Sequence, residues 1–380
     1  MSSRYCSIMA TLQQLYELYP NHPRATIPLG IRVDDTVFAS VTGADPTTGL
    51  PEGDDEAQLA STIDTLEGLL ARGGMALKDI ERVDAYASGA SPDTLGTLLT
   101  DTLAPRTKLS RIFAQPAILR SGQRLRLDVV ATQNGDRQEL RHIRVAANEA
   151  PMAVRIGPLL FAYDVTPVNA TSGRIESEAT QEQVATAFEN LDRVLAAAGM
   201  ERTQLLRIAG YFRDLGEKDL LNSRRVTVFP HWSEKPVHKY VPAALPPGVA
   251  FSLQAIGLMA DDRRIIEIEG IKHNDPISLG AIAGNVFISS RVQARIEPTA
   301  AEQARRLLDS HVRRLVEHVG GTVDDVTQMT WGIGDPAFAV DIATECQAVW
   351  SGEDTPHLTI VEADFPHSPM PRVEFTAVLR

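Results

Sequence analysis

Reactive side chains are sparse in this chain, and none falls into the spacing of a familiar catalytic machine. The two cysteines, Cys6 and Cys346, stand far apart with no CxxC pair, so neither a disulfide framework nor a zinc–thiolate site can be read. There is no Walker loop, no HExxH pair and no GxSxG elbow, and the GIGDP at Gly332 lacks the third glycine of a dinucleotide loop. Asn169-Ala170-Thr171 has the form of a glycosylation acceptor, but without a secretory signal it reads as turn sequence. With 49 acidic against 37 basic residues the net charge is −12, which opposes nonspecific attraction to phosphate backbones. These readings give no metal, no cofactor and no nucleic acid as partner.

The elements that would have to carry a site are more informative than the reactive residues. The string ENLDRVLAAAGM (189–200) has two sisters, DTLEGLLARGGM from Asp64 and DSHVRRLVEHVGG from Asp309. Each reads as the end of an amphipathic helix running into a glycine stop, at Gly74, Gly199 and Gly320. The stops lie about 120 residues apart, too far for a solenoid and close to the size of one small domain. The residues just after each stop repeat too. Ile80, Leu205 and Val326, then Val83, Ile208 and Met329, hold the same places in a short strand.

Each copy opens on an apolar strand, DDTVFASV, GPLLFAYDV or GNVFISSRV, and closes on another, RLRLDVVA, VAFSLQAIG or RVEFTAVL. This order implies three tandem α+β domains, over 1–132, 133–258 and 259–380, with Gln133 to Pro151 and Met259 to Pro276 as connectors. Parts of those connectors are candidates for the first strand of the next domain. No signal peptide and no 18-residue uncharged span is present, so the expectation is a soluble, unexported, cytoplasmic protein with no membrane contact.

The second copy carries GPLLFAYDVTPVNATSG, ENLDRVLAAAGM, YFRDLGEKDLLN and VPAALPPGVAFSLQAIG in that order. Together these resemble the Rid (YjgF) family of enamine/imine deaminases, and weaker versions recur in the other two copies. The resemblance implies the family's chorismate-mutase-like domain, a mixed sheet with two helices on one face. It also implies a trimer with ligand pockets at the seams, formed here by one chain as a pseudo-trimer whose further association is open. Tethering makes that assembly intramolecular and covers sheet edges that would otherwise be exposed.

The family holds its substrate's carboxylate with an arginine, a planar fork suited to two parallel charge-assisted bonds. By the resemblance Arg111 takes that place in copy one, and Val237 and His357 take it in copies two and three. A surface arginine and a structural histidine are the alternative readings. His238 and Lys239 offer a replacement charge by a one-residue slip, or are an exposed basic pair ahead of a strand. The family's water-positioning glutamate matches Glu374, with Arg126 and Ser252 at the aligned places, or Glu374 is a solvated strand residue. A family serine matches Ser290, against Ala39 and Tyr163, and a family asparagine matches Asn222, against Thr97 and roughly Asp341.

The function so implied is a metal-free hydrolase that adds water to a small carboxylate-bearing imine or enamine, with Arg111 and Glu374 catalytic. Ser290, Asn222, His357, Lys239 and Tyr163 are the substrate-binding candidates. Two alternatives stand beside it: a pathway enzyme with a different hydrolysis or elimination, and a binding or scaffold protein without turnover.

Overall fold

The computed structural model describes residues 12–15, 30–33, 35–43, 51–88, 92–107, 109, 112, 114–116, 122–133, 137–140, 152–231, 234–243, 245–267, 278–291, 297–335, 337–350, 356–362 and 370–380. Among these described residues eighteen strands form three sheets of six. The first holds β1 (Leu12–Leu15), β2 (Gly30–Val33), β3 (Thr36–Thr42), β4 (Ile80–Ala87), β5 (Ala114–Pro116) and β6 (Leu125–Thr132). The second holds β7 (Arg137–Leu140), β8 (Ala153–Ile156), β9 (Leu159–Val165), β10 (Leu205–Phe212), β11 (Val237–Pro242) and β12 (Phe251–Leu258). The third holds β13 (Arg264–Ile266), β14 (Gly280–Ala283), β15 (Val286–Ser289), β16 (Val326–Ile333), β17 (His357–Glu362) and β18 (Arg372–Val378).

All three sheets have one topology: β1-β2-β3-β6-β4-β5, β7-β8-β9-β12-β10-β11 and β13-β14-β15-β18-β16-β17. Three strands meander antiparallel, the last strand returns beside the third, and the fourth and fifth pair parallel at the far edge. A parallel pair needs a crossover long enough for a helix. The helices α2 (Pro92–Leu103), α4 (Asp219–Val228) and α7 (Phe338–Val349) supply it. The longer helices α1 (Asp55–Arg72), α3 (Thr180–Ala198) and, in the third unit, α5 (Ala300–Leu307) lie between strands three and four of their sheets. A π-helical stretch, Leu308–Arg313, joins α5 to the short α6 (Arg314–His318).

The expected helix stops are present, with Gly74, Gly199 and Gly320 at φ of 73°, 68° and 95°, a region open to glycine at little cost. After each stop comes a single 3₁₀ turn locked in the same way. Its last side chain accepts the amide ahead of the turn: Asp79 from Ala76 at 2.8 Å, Gln204 from Glu201 at 3.0 Å, and Asp325 from Thr322 at 2.8 Å. A buried helix glutamine ties two of the units to the turn before their last strand. Gln58 donates to Gly122 O and accepts from Arg124 N, and Gln183 does the same with Gly248 O and Ala250 N.

Within the second unit Leu191, Val194 and Leu195 of α3 share one apolar core with Leu160, Leu205 and Leu253 of the sheet. The core of the first unit continues across the seams, through Phe161, Leu206 and Val237 of the second unit, to Ala281 and Ile288 of the third. Burial across those seams is what holds the three units in one body.

Candidate functional site

Where the sheets meet, three strands bring polar side chains inward from the same register. The third residue of the fourth strand is Arg82 in the first unit, Arg207 in the second and Gln328 in the third. The last strands place Asp128 opposite Asp84, Gln254 opposite Ala209 and Glu374 opposite Thr330. On the fifth strands Lys239 lies opposite Ala209 and Thr359 opposite Thr330. Each seam therefore sets a fourth- or fifth-strand residue of one unit against the last strand of the next.

At the seam of the second and third units, Lys239 Nζ lies 3.5 Å from Glu374 Oε1, and Arg291 Nη2 donates to the same oxygen at 3.0 Å. Burial is the largest influence on the Glu374 carboxyl and acts to raise its pKa. Arg291, Lys239 and Arg207 outweigh it and hold the group at about 2. Lys239 is driven well below the usual lysine range, first by burial and then by Arg207, Arg82 and Arg291, with Glu374 pulling the other way. Arg82, Arg207, Lys239, Thr330 and Glu374 line a cavity here in which the space open to a water-sized sphere is about 10 Å³.

At the seam of the third and first units Asp128 is saturated. It accepts from Ser40 at 2.6 Å, Thr359 at 2.6 Å and Gln328 at 3.0 Å, and Arg126 Nε lies 3.2 Å away. At the seam of the first and second units the corresponding residue is neutral, and Gln254 Oε1 accepts from the Tyr211 hydroxyl at 2.9 Å. Nearby, Glu81 takes an ion pair from Arg137 and, at 2.6 Å, the hydroxyl of Tyr163, whose pKa is pushed well up by burial and then by Glu81.

The candidates drawn from the sequence are thus dispersed. Glu374 and Lys239 meet at one seam. Tyr163 sits at another, with its hydroxyl taken by Glu81. The Ser290 hydroxyl is spent on the carbonyl of Ser278. Asn222 lies on α4 and accepts from Tyr240. His357 begins β17 opposite Gln328, with its side chain outside the described residues, and Arg111 lies outside them altogether.

Three readings need correction. His238 and Lys239 are not an exposed pair ahead of a strand; each is 4% exposed inside β11. His238 Nε2 is 3.0 Å from Arg225 Nη1 and 2.9 Å from the Tyr240 hydroxyl, and burial followed by Arg225 drives its pKa well below 6.5. The residues equivalent to Glu374 are Asp128 and Gln254, two positions on from Arg126 and Ser252. A slip of two keeps the in-and-out alternation of a strand, so the pattern does not expose it. The residue equivalent to Tyr163 and Ser290 is Ser40, which bonds Asp128, and not Ala39, because the hairpins pair Thr36, Leu159 and Val286 with Val33, Ile156 and Ala283. Arg82, Arg207, Arg291, Asp128 and Gln328 are seam residues that motif and spacing do not single out. Charges interrupting apolar strands, as in IERVDAYA and LRLDVVAT, are the signal that could have found them.

Residues 143–258 match the family model described as Endoribonuclease L-PSP. The second unit is a domain of this YjgF/Rid family. Solved structures similar to the chain include a Rid-family protein of unknown function, YyfA from Yersinia pestis, at 18% identity, covering 32% of this chain and 98% of that one with a TM-score of 0.31. The YjgF gene product of E. coli is 20% identical over 32% of this chain and 98% of that one, with a TM-score of 0.30. E. coli TdcF with bound serine is 22% identical over the same shares, also with a TM-score of 0.30. No curated protein matches the chain. No helix among the described residues is long and apolar enough to cross a membrane, and no cluster of three potential metal ligands occurs among them. The first and third units repeat the sheet topology of the second.

Proposed function

We propose that the chain is three diverged Rid-like copies forming a pseudo-trimer, and that it hydrolyses a small carboxylate-bearing imine or enamine at the seam of the second and third units. One observation carries the reading: a buried carboxylate, Glu374, is held ionised through Oε1 by Arg291 and Lys239, while Oε2 has no partner among the described residues. Glu374 is among the residues that line a space of about one water's size. A pKa of about 2 makes Glu374 a poor general base at neutral pH and a fixed hydrogen-bond acceptor, so its part is to orient water. The water oxygen bonds to the imine carbon, the carbon–nitrogen bond breaks, and ammonia leaves with the protons from water, giving the 2-oxo acid. Arg111, the carboxylate anchor implied by the resemblance, enters as a proposal of its own.

A second reading, a binding or scaffold protein without turnover, is favoured by the size of the cavities and by Asp128, whose seam is closed by its own hydrogen bonds. Ammonia release from freshly generated 2-imino acids separates the two. The enzyme reading expects a rate above background that falls at least tenfold in Glu374→Gln and in Arg111→Ala. No rate above background selects the scaffold, and an unchanged rate in either variant removes that residue from the mechanism.

A further inference from the structure

The seam between the first and second units differs from its two counterparts in charge. At the others the last strand supplies a carboxylate, Asp128 or Glu374, to the donors and cations of the neighbouring unit. Here the equivalent residue is Gln254, yet two arginines converge on the same cavity, which Arg82, Arg207 and Gln254 line together with apolar residues such as Phe161 and Ile256. No Asp or Glu is among the described residues that line it. Arg82 is paired with Asp84 on its own strand, but its Nε makes no hydrogen bond. Arg207 is 8% exposed and has no hydrogen bond or ion pair among the described residues. The carboxamide oxygen of Gln254 is occupied by Tyr211, so the group left to face a ligand is its amide N–H₂.

Arg82 has Asp84 and Arg207 has Glu374 in the neighbouring cavity, but three guanidiniums, Arg82, Arg207 and Arg291, share those two carboxylates, and the excess positive charge calls for an anion. The space open to a water-sized sphere is about 20 Å³, which suits a single small ion. We propose that the seam of the first and second units binds a chloride-sized monovalent anion between Arg82 and Arg207, with the Gln254 amide as a further donor. The ion acts as the counter-charge that the protein omits at this seam. Arg82 and Arg207 also border the Glu374 cavity, but the anion site stands whether or not the chain turns over imines.

Two measurements on the full chain test it. Crystals grown without halide and soaked in bromide should give an anomalous peak within hydrogen-bond reach of both guanidiniums. The melting temperature should rise saturably, by roughly 2–5 °C, with chloride or bromide but not with gluconate or sulfate at matched ionic strength. Arg207→Gln should abolish that halide response. An absent bromide peak, equal melting in all four salts, or a halide response surviving in Arg207→Gln would overturn the proposal. If the variant does not fold, the bromide peak in the natural chain decides alone.

Discussion

Removing the charge of Glu374 should destabilise the chain by an amount that depends on pH. The carboxyl moves from an ordinary 4.5 to about 2 on folding. At about 1.4 kcal/mol per pH unit this corresponds to about 3 kcal/mol of stability. Because the folded pKa is depressed, that stability is fully present above pH 4.5 and is lost as pH falls toward 2. Glu374→Gln preserves shape but leaves Arg291, Arg207 and Lys239 without their carboxylate, so at pH 7 it should cost about 3 kcal/mol. The gap between the two proteins should then close as the pH falls from 5 to about 2. Urea unfolding, followed by the fluorescence of buried Trp331 in the same sheet, measures both quantities. Lys239→Met should cost less than Glu374→Gln, since Arg291 still holds the carboxylate and burial already disfavours the ammonium. A gap that stays constant with pH, or a Glu374→Gln protein as stable as the natural one at pH 7, would refute the reasoning.

Asp128→Ala strands the donors of Ser40, Gln328 and Thr359 and should cost about 3 kcal/mol. Faster hydrogen exchange in β17 would place that loss at the seam. The imidazole of His238, kept neutral by burial and Arg225, should show no titration in its NMR shifts between pH 8 and 5.5. Protonation then favours only the unfolded chain, so this group weakens the fold as pH drops below 6.5. Gly199→Ala should cost about 1 kcal/mol in denaturant unfolding through its φ of +68° alone, since a Cβ there meets nothing within 4 Å.

Features set by local chemistry were legible in the sequence. A positive φ at Gly74, Gly199 and Gly320 is a requirement of one residue, and the strands beginning at Ile80, Leu205 and Val326 follow those stops at one fixed spacing. Register was less legible. A slip of one residue hid Ser40 behind Ala39, and a slip of two hid Asp128 behind Arg126, because flanking small and apolar residues satisfy either pairing. The seam partners lay beyond a single sequence. Thr359 and Gln328 reach Asp128 across more than half the chain, and Lys239 reaches Glu374 from another sheet. Burial of a charge such as Arg207 depends on three surfaces coming together, which no local pattern encodes.

The most direct test of the proposed function is a crystal structure of the chain with a 2-oxo acid, the product of imine hydrolysis. The account predicts the ligand at the seam of the second and third units, its carbonyl carbon within reach of a water bound to Glu374 Oε2. All three seams filled by their own side chains, with the ligand absent or elsewhere, would contradict it.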